Sequence, residues 1–264
     1  MGNRFSCYVD VERFLGEPVK ELAQFLCCFK RGKRFETIIA VANLLKDVNT
    51  TKEFFKFRNS QKKEALLQQL PLDKSEKDIL WKLIVKFFLK QAENSAGKEI
   101  PQDDVIAIRK GRLFEEIVYL LGPAKKWKVD LVCMHCQPMI NGKKIEIHCN
   151  KKSLTGKNID VVFWGKDYVE GYECKSNLAF FFELGRKNDE RGRKIRDKVR
   201  YLNLLTKILK QHFKEVEIIL ASFTPEKNFE TYISDIKRWI SKCDGEDKIH
   251  FKLKTLEDIL KEME

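Results

Sequence analysis

Asp160, Glu173 and Lys175 are the residues whose types and spacing can do chemistry. They sit in two apolar runs, Ile159–Trp164 and Tyr168–Lys175, joined by Gly165-Lys166-Asp167. The runs are otherwise built of Val, Phe, Trp and Tyr, where a buried charge costs several kcal/mol unless it is paired or holds a metal. Side chains alternate along a strand, so Glu173 and Lys175, two apart, point to one face. An antiparallel hairpin brings Asp160 to the same end of the sheet. Two hard oxygen ligands beside an ammonium suit a divalent cation with a positive charge next to it.

The elements that must hold these residues can be read outward from the hairpin. Residues 129–140 and 144–149 read as strands flanking Asn141-Gly142, a strong hairpin-turn signal. Residues 190–213 form a long basic amphipathic helix with Ile195, Val199, Leu202, Leu205, Ile208 and Leu209 inward. A buried strand over 216–223, a helix over 229–241, a strand over 249–253 and a helix over Leu256–Met263 complete the series. A helix from Asp103 or Asp104 to Leu121, ended by Gly122-Pro123, precedes the hairpins.

The first 95 or so residues read as helices. Apolar positions 11, 14, 15, 19, 22, 25, 26 and 29 make one stripe, broken near Gly16-Glu17-Pro18 and ended by Arg31-Gly32-Lys33. A second helix covers 35–45. Thr50-x-x-Glu53 opens a third, running to about Leu70, and Asp73-x-x-Glu76 opens a fourth with Ile79, Leu80, Leu83, Ile84, Phe87 and Phe88 as its apolar face. The small, polar stretch from Glu93 to Pro101 is the best linker. The expected organisation is an all-α domain over residues 1–97, followed by an α/β domain over 98–264 with a mixed central sheet flanked by helices.

Lys110-Gly111-Arg112-Leu113-Phe114-Glu115, Ile159-Asp160-Val161-Val162 and Glu173-Cys174-Lys175 occur in the order of the restriction-endonuclease-like, PD-(D/E)xK, nuclease superfamily, which residues 105–225 resemble. The proline of that family's name is replaced here, since Asn158-Ile159 precedes Asp160. The resemblance implies Mg²⁺ or Mn²⁺ held by Asp160, Glu173, the Cys174 backbone carbonyl and Glu115, directly or through water. It implies that Lys175 contacts the scissile phosphate and the attacking water, and that the product carries a 5′-phosphate. The family spacing selects Glu115, whereas the helical wheel places Glu116 nearer the flank of the buried stripe.

The whole chain bears on partners. Its 264 residues carry a net charge of +12, which favours an anionic partner. Arg186, Lys187, Arg191, Arg193, Lys194, Arg196, Lys198 and Arg200 are the densest basic run. Beside a phosphodiester site, Arg191, Arg193, Lys194, Arg196 and Lys198 are expected to grip nucleic acid, though such a run also suits a solvated helix face. Tyr172 and Phe180 to Phe182 read as core or a hydrophobic cap rather than base-stacking platforms.

Eight cysteines without a leader read as thiols in a reducing cytoplasm. Cys133, Cys136, His148 and Cys149 invite a zinc reading, but Cys133 and Cys136 would face opposite sides of a strand. Met1-Gly2-Asn3-Arg4-Phe5-Ser6 fits a loose N-myristoylation pattern of a kind that chance often supplies. No apolar run reaches the ~20 residues a membrane span needs.

The expectation is a Mg²⁺-dependent endodeoxyribonuclease of restriction, defence or repair, dimeric if it cuts both strands. The alternatives are an RNA-cleaving nuclease, a nucleic-acid-binding module of the same fold that has lost catalysis, and an interaction protein working through its N-terminal helices.

Overall fold

The computed structural model describes residues 4–8, 17–93, 97–224, 228–243 and 248–263. The chain forms two compact units: a helical one ending at Leu121, and a sheet unit built from the N-terminal strand and everything from Gly122 onward. The stripe positions 11, 14 and 15, the centre of the expected linker at 94–96, and Gly2 lie outside the described residues.

The helical unit holds α1 (Glu17–Cys27), α2 (Arg31–Asp47), α3 (Thr51–Arg58), α4 (Gln61–Gln69), α5 (Lys74–Leu89) and α6 (Gln102–Leu121). Both capping boxes form. Thr50 Oγ1 accepts from Glu53 N at 3.2 Å, and Asp73 Oδ1 from Glu76 N at 2.9 Å, with each glutamate reaching back to the cap's backbone. The expected third helix is two, because Ser60 accepts from Lys62 N and starts a new one. Arg31-Gly32-Lys33 opens α2 rather than closing the helix before it. Leu22, Leu26, Ile38, Phe54, Ile84, Phe87, Phe88 and Phe114 are buried, and the Phe54 and Phe88 rings stack at 4.3 Å. α6 packs on α1, α3 and α5, so the units divide after Leu121 rather than at residue 97. Gly122, at φ +83°, supplies the left-handed turn that ends α6.

The sheet unit has β1 (Phe5–Tyr8), β2 (Leu131–Ile140), β3 (Lys143–Lys144), β4 (His148–Cys149), β5 (Lys152–Ser153), β6 (Ile159–Trp164), β7 (Tyr168–Lys175), β8 (Glu215–Ser222) and β9 (Lys252–Thr255). The main sheet runs β1-β2-β6-β7-β8-β9, with β3 also on β2; β4 and β5 pair separately. Pairings from β1 to β7 are antiparallel, and those of β7 with β8 and β8 with β9 are parallel. The protein is thus α/β, with a mixed sheet, as expected. Asn141 and Gly142, both at positive φ, make the β2–β3 turn. The second arm is shorter than expected: only Lys143 and Lys144 return along β2.

The α-helices of this unit among the described residues are α7 (Leu178–Arg186), α8 (Glu190–His212), α9 (Glu230–Ile240) and α10 (Leu256–Met263). α8 packs on β8, α7 and α9. Phe181 and Phe182 are core, as expected, and the Phe182 ring stacks on Tyr232 at 4.5 Å. α7 meets α8 and α9 closely, because a Cβ on Gly192 would lie 2.2 Å from Lys187 O and one on Gly185 2.5 Å from the Trp239 ring of α9.

Two expectations are corrected in this unit. β1 was not anticipated, since its residues were read with the helices. The cysteines are not all thiols: Cys7 bonds Cys136 and Cys149 bonds Cys243, fastening β1 to β2 and the β4–β5 hairpin to the residues after α9. Cys136 and Cys149 are thereby spent, which removes the zinc reading.

Candidate active site

The register sets the site. Val161 pairs with Tyr172 and Val162 with Gly171, and one further step puts Asp160 opposite Glu173, on the same face of the sheet. Lys175 follows two residues later and is the last residue of β7. Backbone pairing thus converges all three side chains at one end of the β6–β7 pair.

Lys175 Nζ is the centre of the cluster. It lies 2.6 Å from Glu173 Oε1, 3.0 Å from the Cys174 carbonyl oxygen and 3.6 Å from Asp160 Oδ2. Asp160 Oδ2 also accepts from Cys174 N at 2.8 Å, which fixes its carboxyl against β7. Glu173 is 3% exposed. Burial alone would lower the Lys175 pKa, but the Glu173 and Asp160 carboxylates outweigh it and hold the ammonium above its ordinary value.

A second cation comes from α8. Lys198 Nζ is 2.7 Å from Glu173 Oε2 and donates to the Asn158 carbonyl. Glu173 is therefore held between two ammonium groups. Tyr201, one turn along α8, donates to Lys157 O at 2.7 Å. Burial, then the Glu173 charge, pushes its hydroxyl pKa up. Burial, then Lys198, holds the Lys157 amine below the usual lysine value. Lys152 pairs with the buried Asp197, so the segment before β6 is tied to α8 at several points.

The basic run divides by this geometry. Arg191, Arg193 and Lys194 are exposed, with Lys194 2.9 Å from Glu190. Arg196 instead donates to the carbonyls of Gly185 and Lys187, closing the end of α7, and Lys198 belongs to the carboxylate cluster. Its role there was not legible in sequence, where it is one lysine among many.

Glu115 is on α6, in the helical unit, where its carboxylate is 2.6 Å from Arg112 Nη1. Glu116 next to it has its pKa raised by burial. The observed convergence is of the three strand residues.

Among the described residues, there is no group of three or more His, Cys, Asp or Glu side chains that could hold a metal ion. The donor set still fits a hard divalent cation. Two carboxylates and a main-chain carbonyl already surround one positive charge, and Mg²⁺ keeps several waters, so few protein oxygens suffice. A cation there would displace Lys175 from the middle of the three.

The opposite face carries a second buried carboxylate. Glu170, 1% exposed, accepts from Tyr172 Oη at 2.5 Å, from Tyr168 Oη and from Ala124 N at 3.0 Å. Burial pushes its pKa up. Its three donors explain it as a satisfied core group.

No family model matches the sequence, and no curated protein does. The crystal structure of protein VC1899 from Vibrio cholerae is similar at a TM-score of 0.39 and 14% identity. That likeness covers 99% of this chain, which spans 57% of the other, and is too slight to bear on the site. No helix among the described residues is long and apolar enough to cross a membrane.

Proposed function

We propose that the protein is a metal-dependent endonuclease of the restriction-endonuclease-like fold that hydrolyses phosphodiester bonds in DNA. The observation that carries this reading is the ring of Asp160 Oδ2, Glu173 Oε1 and Cys174 O around Lys175 Nζ. In the reaction, water oxygen bonds to phosphorus, the P–O3′ bond breaks, and the products are a 5′-phosphate and a 3′-hydroxyl. Asp160, Glu173 and the Cys174 carbonyl would hold Mg²⁺ or Mn²⁺. The cation would supply charge neutralisation at the phosphate and a more acidic water. Lys175, moved off the carboxylates, would orient the water and offset charge on the phosphate oxygens. Lys198 would keep Glu173 aimed. Exposed Arg191, Arg193 and Lys194 would bind the flanking backbone, while Arg196 braces α7. A cut through both strands would need two copies, because one site serves one strand.

A second reading, a nucleic-acid-binding module without catalysis, is favoured by Glu173 lying between two lysines.

The test is cleavage of supercoiled plasmid, linear duplex, single strands and RNA with Mg²⁺ or Mn²⁺, beside Asp160→Ala and Lys175→Ala. Cleavage abolished in both variants, with Mn²⁺ binding lost in Asp160→Ala by calorimetry, is the expected outcome. Cleavage equal in all three proteins would assign the activity to a contaminant. Binding without cleavage would leave the second reading.

A further inference from the structure

Five residues beyond Lys175, the chain exposes an aromatic ring that the core does not use. Phe180 is 50% exposed, although Phe181 and Phe182 beside it are buried. The Asn177 side chain accepts from Phe180 N at 2.9 Å, which fixes the first turn of α7 directly after the site. The Arg191 guanidinium lies over the Phe180 ring, 5.8 Å from its centroid. The ring lines an open groove of 560 Å³ whose other walls include Asn177, Glu183, Arg186 and Tyr232. Lys175 Nζ is itself 5.8 Å from the centre of the adjacent Phe181 ring. Asn177, which lines the groove, is two residues beyond Lys175 in the chain.

One exposed phenylalanine is unremarkable by itself. This one lies in a concave surface, carries a planar cation, and stands in the first turn of the helix that follows the strand bearing Glu173 and Lys175, on a protein of net charge +12. The combination of a π-face for stacking, a guanidinium and wall amides and carboxylates that can meet base edges is suited to an unpaired nucleobase. In a duplex the base faces are already stacked and withheld from such a ring.

We propose that Phe180 with Arg191 is a stacking platform for an unpaired base, so that the protein selects single-stranded nucleic acid next to the cleavage position. The proposal rests on the phosphodiester reading for its location, and it is tested by binding alone. A labelled single-stranded DNA oligonucleotide and the matching duplex are titrated against the full chain in EDTA, with fluorescence anisotropy as the readout. The single strand should bind more tightly than the duplex. Phe180→Ala should weaken single-strand binding at least about fivefold, the lower end of what stacking one base contributes, and change duplex binding less than twofold. Phe180→Trp should restore it. An oligonucleotide of the same length bearing abasic positions should bind wild type and Phe180→Ala alike.

Equal binding of single strand and duplex by the wild type, equal losses on both, or no loss on either, would overturn the platform. So would a loss that persists on the abasic strand, which would assign the ring to backbone contact or to folding. A matched thermal melt excludes unfolding, and the ring's exposure predicts an unchanged midpoint. No cleavage enters these measurements, so a failed nuclease assay beside a retained single-strand preference would overturn the catalytic reading and leave the platform standing.

Discussion

At the scale of single residues, the site is a contest for two carboxylates. Glu173 is buried and held by Lys175 and Lys198, so deleting either cation leaves charge incompletely matched in a poorly hydrated place. Lys198→Met is expected to destabilise the protein by about 1–3 kcal/mol, the penalty of an unmet buried polar group, measured by urea unfolding. An unchanged midpoint would show that Lys198 is not needed by Glu173. Glu170 gives a different signature. Its pKa is raised by burial, so the folded state holds its proton more tightly than the unfolded chain does. Stability from this group is therefore present at low pH and lost as pH rises from about 4.3, the unfolded value, through the folded one. Glu170→Gln cannot ionise and should escape that loss. Its stability deficit relative to wild type should shrink between pH 4 and pH 8; a gap independent of pH would refute the assignment. Asp160, Glu173 and Lys175 were legible in sequence because charges inside apolar strands stand out. Lys198 was read only as a residue gripping nucleic acid, and its pairing with Glu173 was not legible because that partner lies 25 residues earlier and on another element.

At the scale of elements, strands and helices with local signals were read closely, and those made by distant contacts were not. β6 and β7 lie where the apolar runs and the intervening turn put them, and α3 and α5 begin at their capping boxes. β1 has four residues and no alternation strong enough to announce it; pairing with β2 makes it a strand. α7 was missed because Leu-Ala-Phe-Phe-Phe shows no polar side, although one ring is exposed and two are not. The α7–α8 junction then sets where Lys198 arrives. A Cβ at Gly192 would meet two backbone oxygens, Lys187 O at 2.2 Å and Leu184 O at 2.8 Å, which cannot give as a side chain would. Gly192→Ala should cost about 1–3 kcal/mol, as overpacking does, and should also move Lys198 off Glu173. Chemical denaturation checks the first effect. A crystal structure in which the Lys198–Glu173 distance remains near 2.7 Å would count against the second.

At the scale of the whole molecule, the cysteines are the main departure from expectation. Their pairing was beyond sequence reasoning because the partners are 129 and 94 residues apart and converge only once the sheet forms. In the chain-entropy picture each cross-link restricts the unfolded state by at most about 5 kcal/mol. Of the eight cysteines, Cys7, Cys136, Cys149 and Cys243 are bonded. Labelling under denaturing, non-reducing conditions should therefore tag the remaining Cys27, Cys28, Cys133 and Cys174, and all eight after reduction. The reduced protein should melt at a lower temperature. Eight labels before reduction would return the chain to the all-thiol expectation. β1 carries a last consequence. It belongs to the sheet, yet the entire helical unit is threaded between it and β2. On a ribosome, β1 would emerge, wait through the synthesis of α1 to α6, and find its hydrogen-bonding neighbour only when residues 137–140 arrive. Until then its edge is open, and the sheet must be completed by its oldest part.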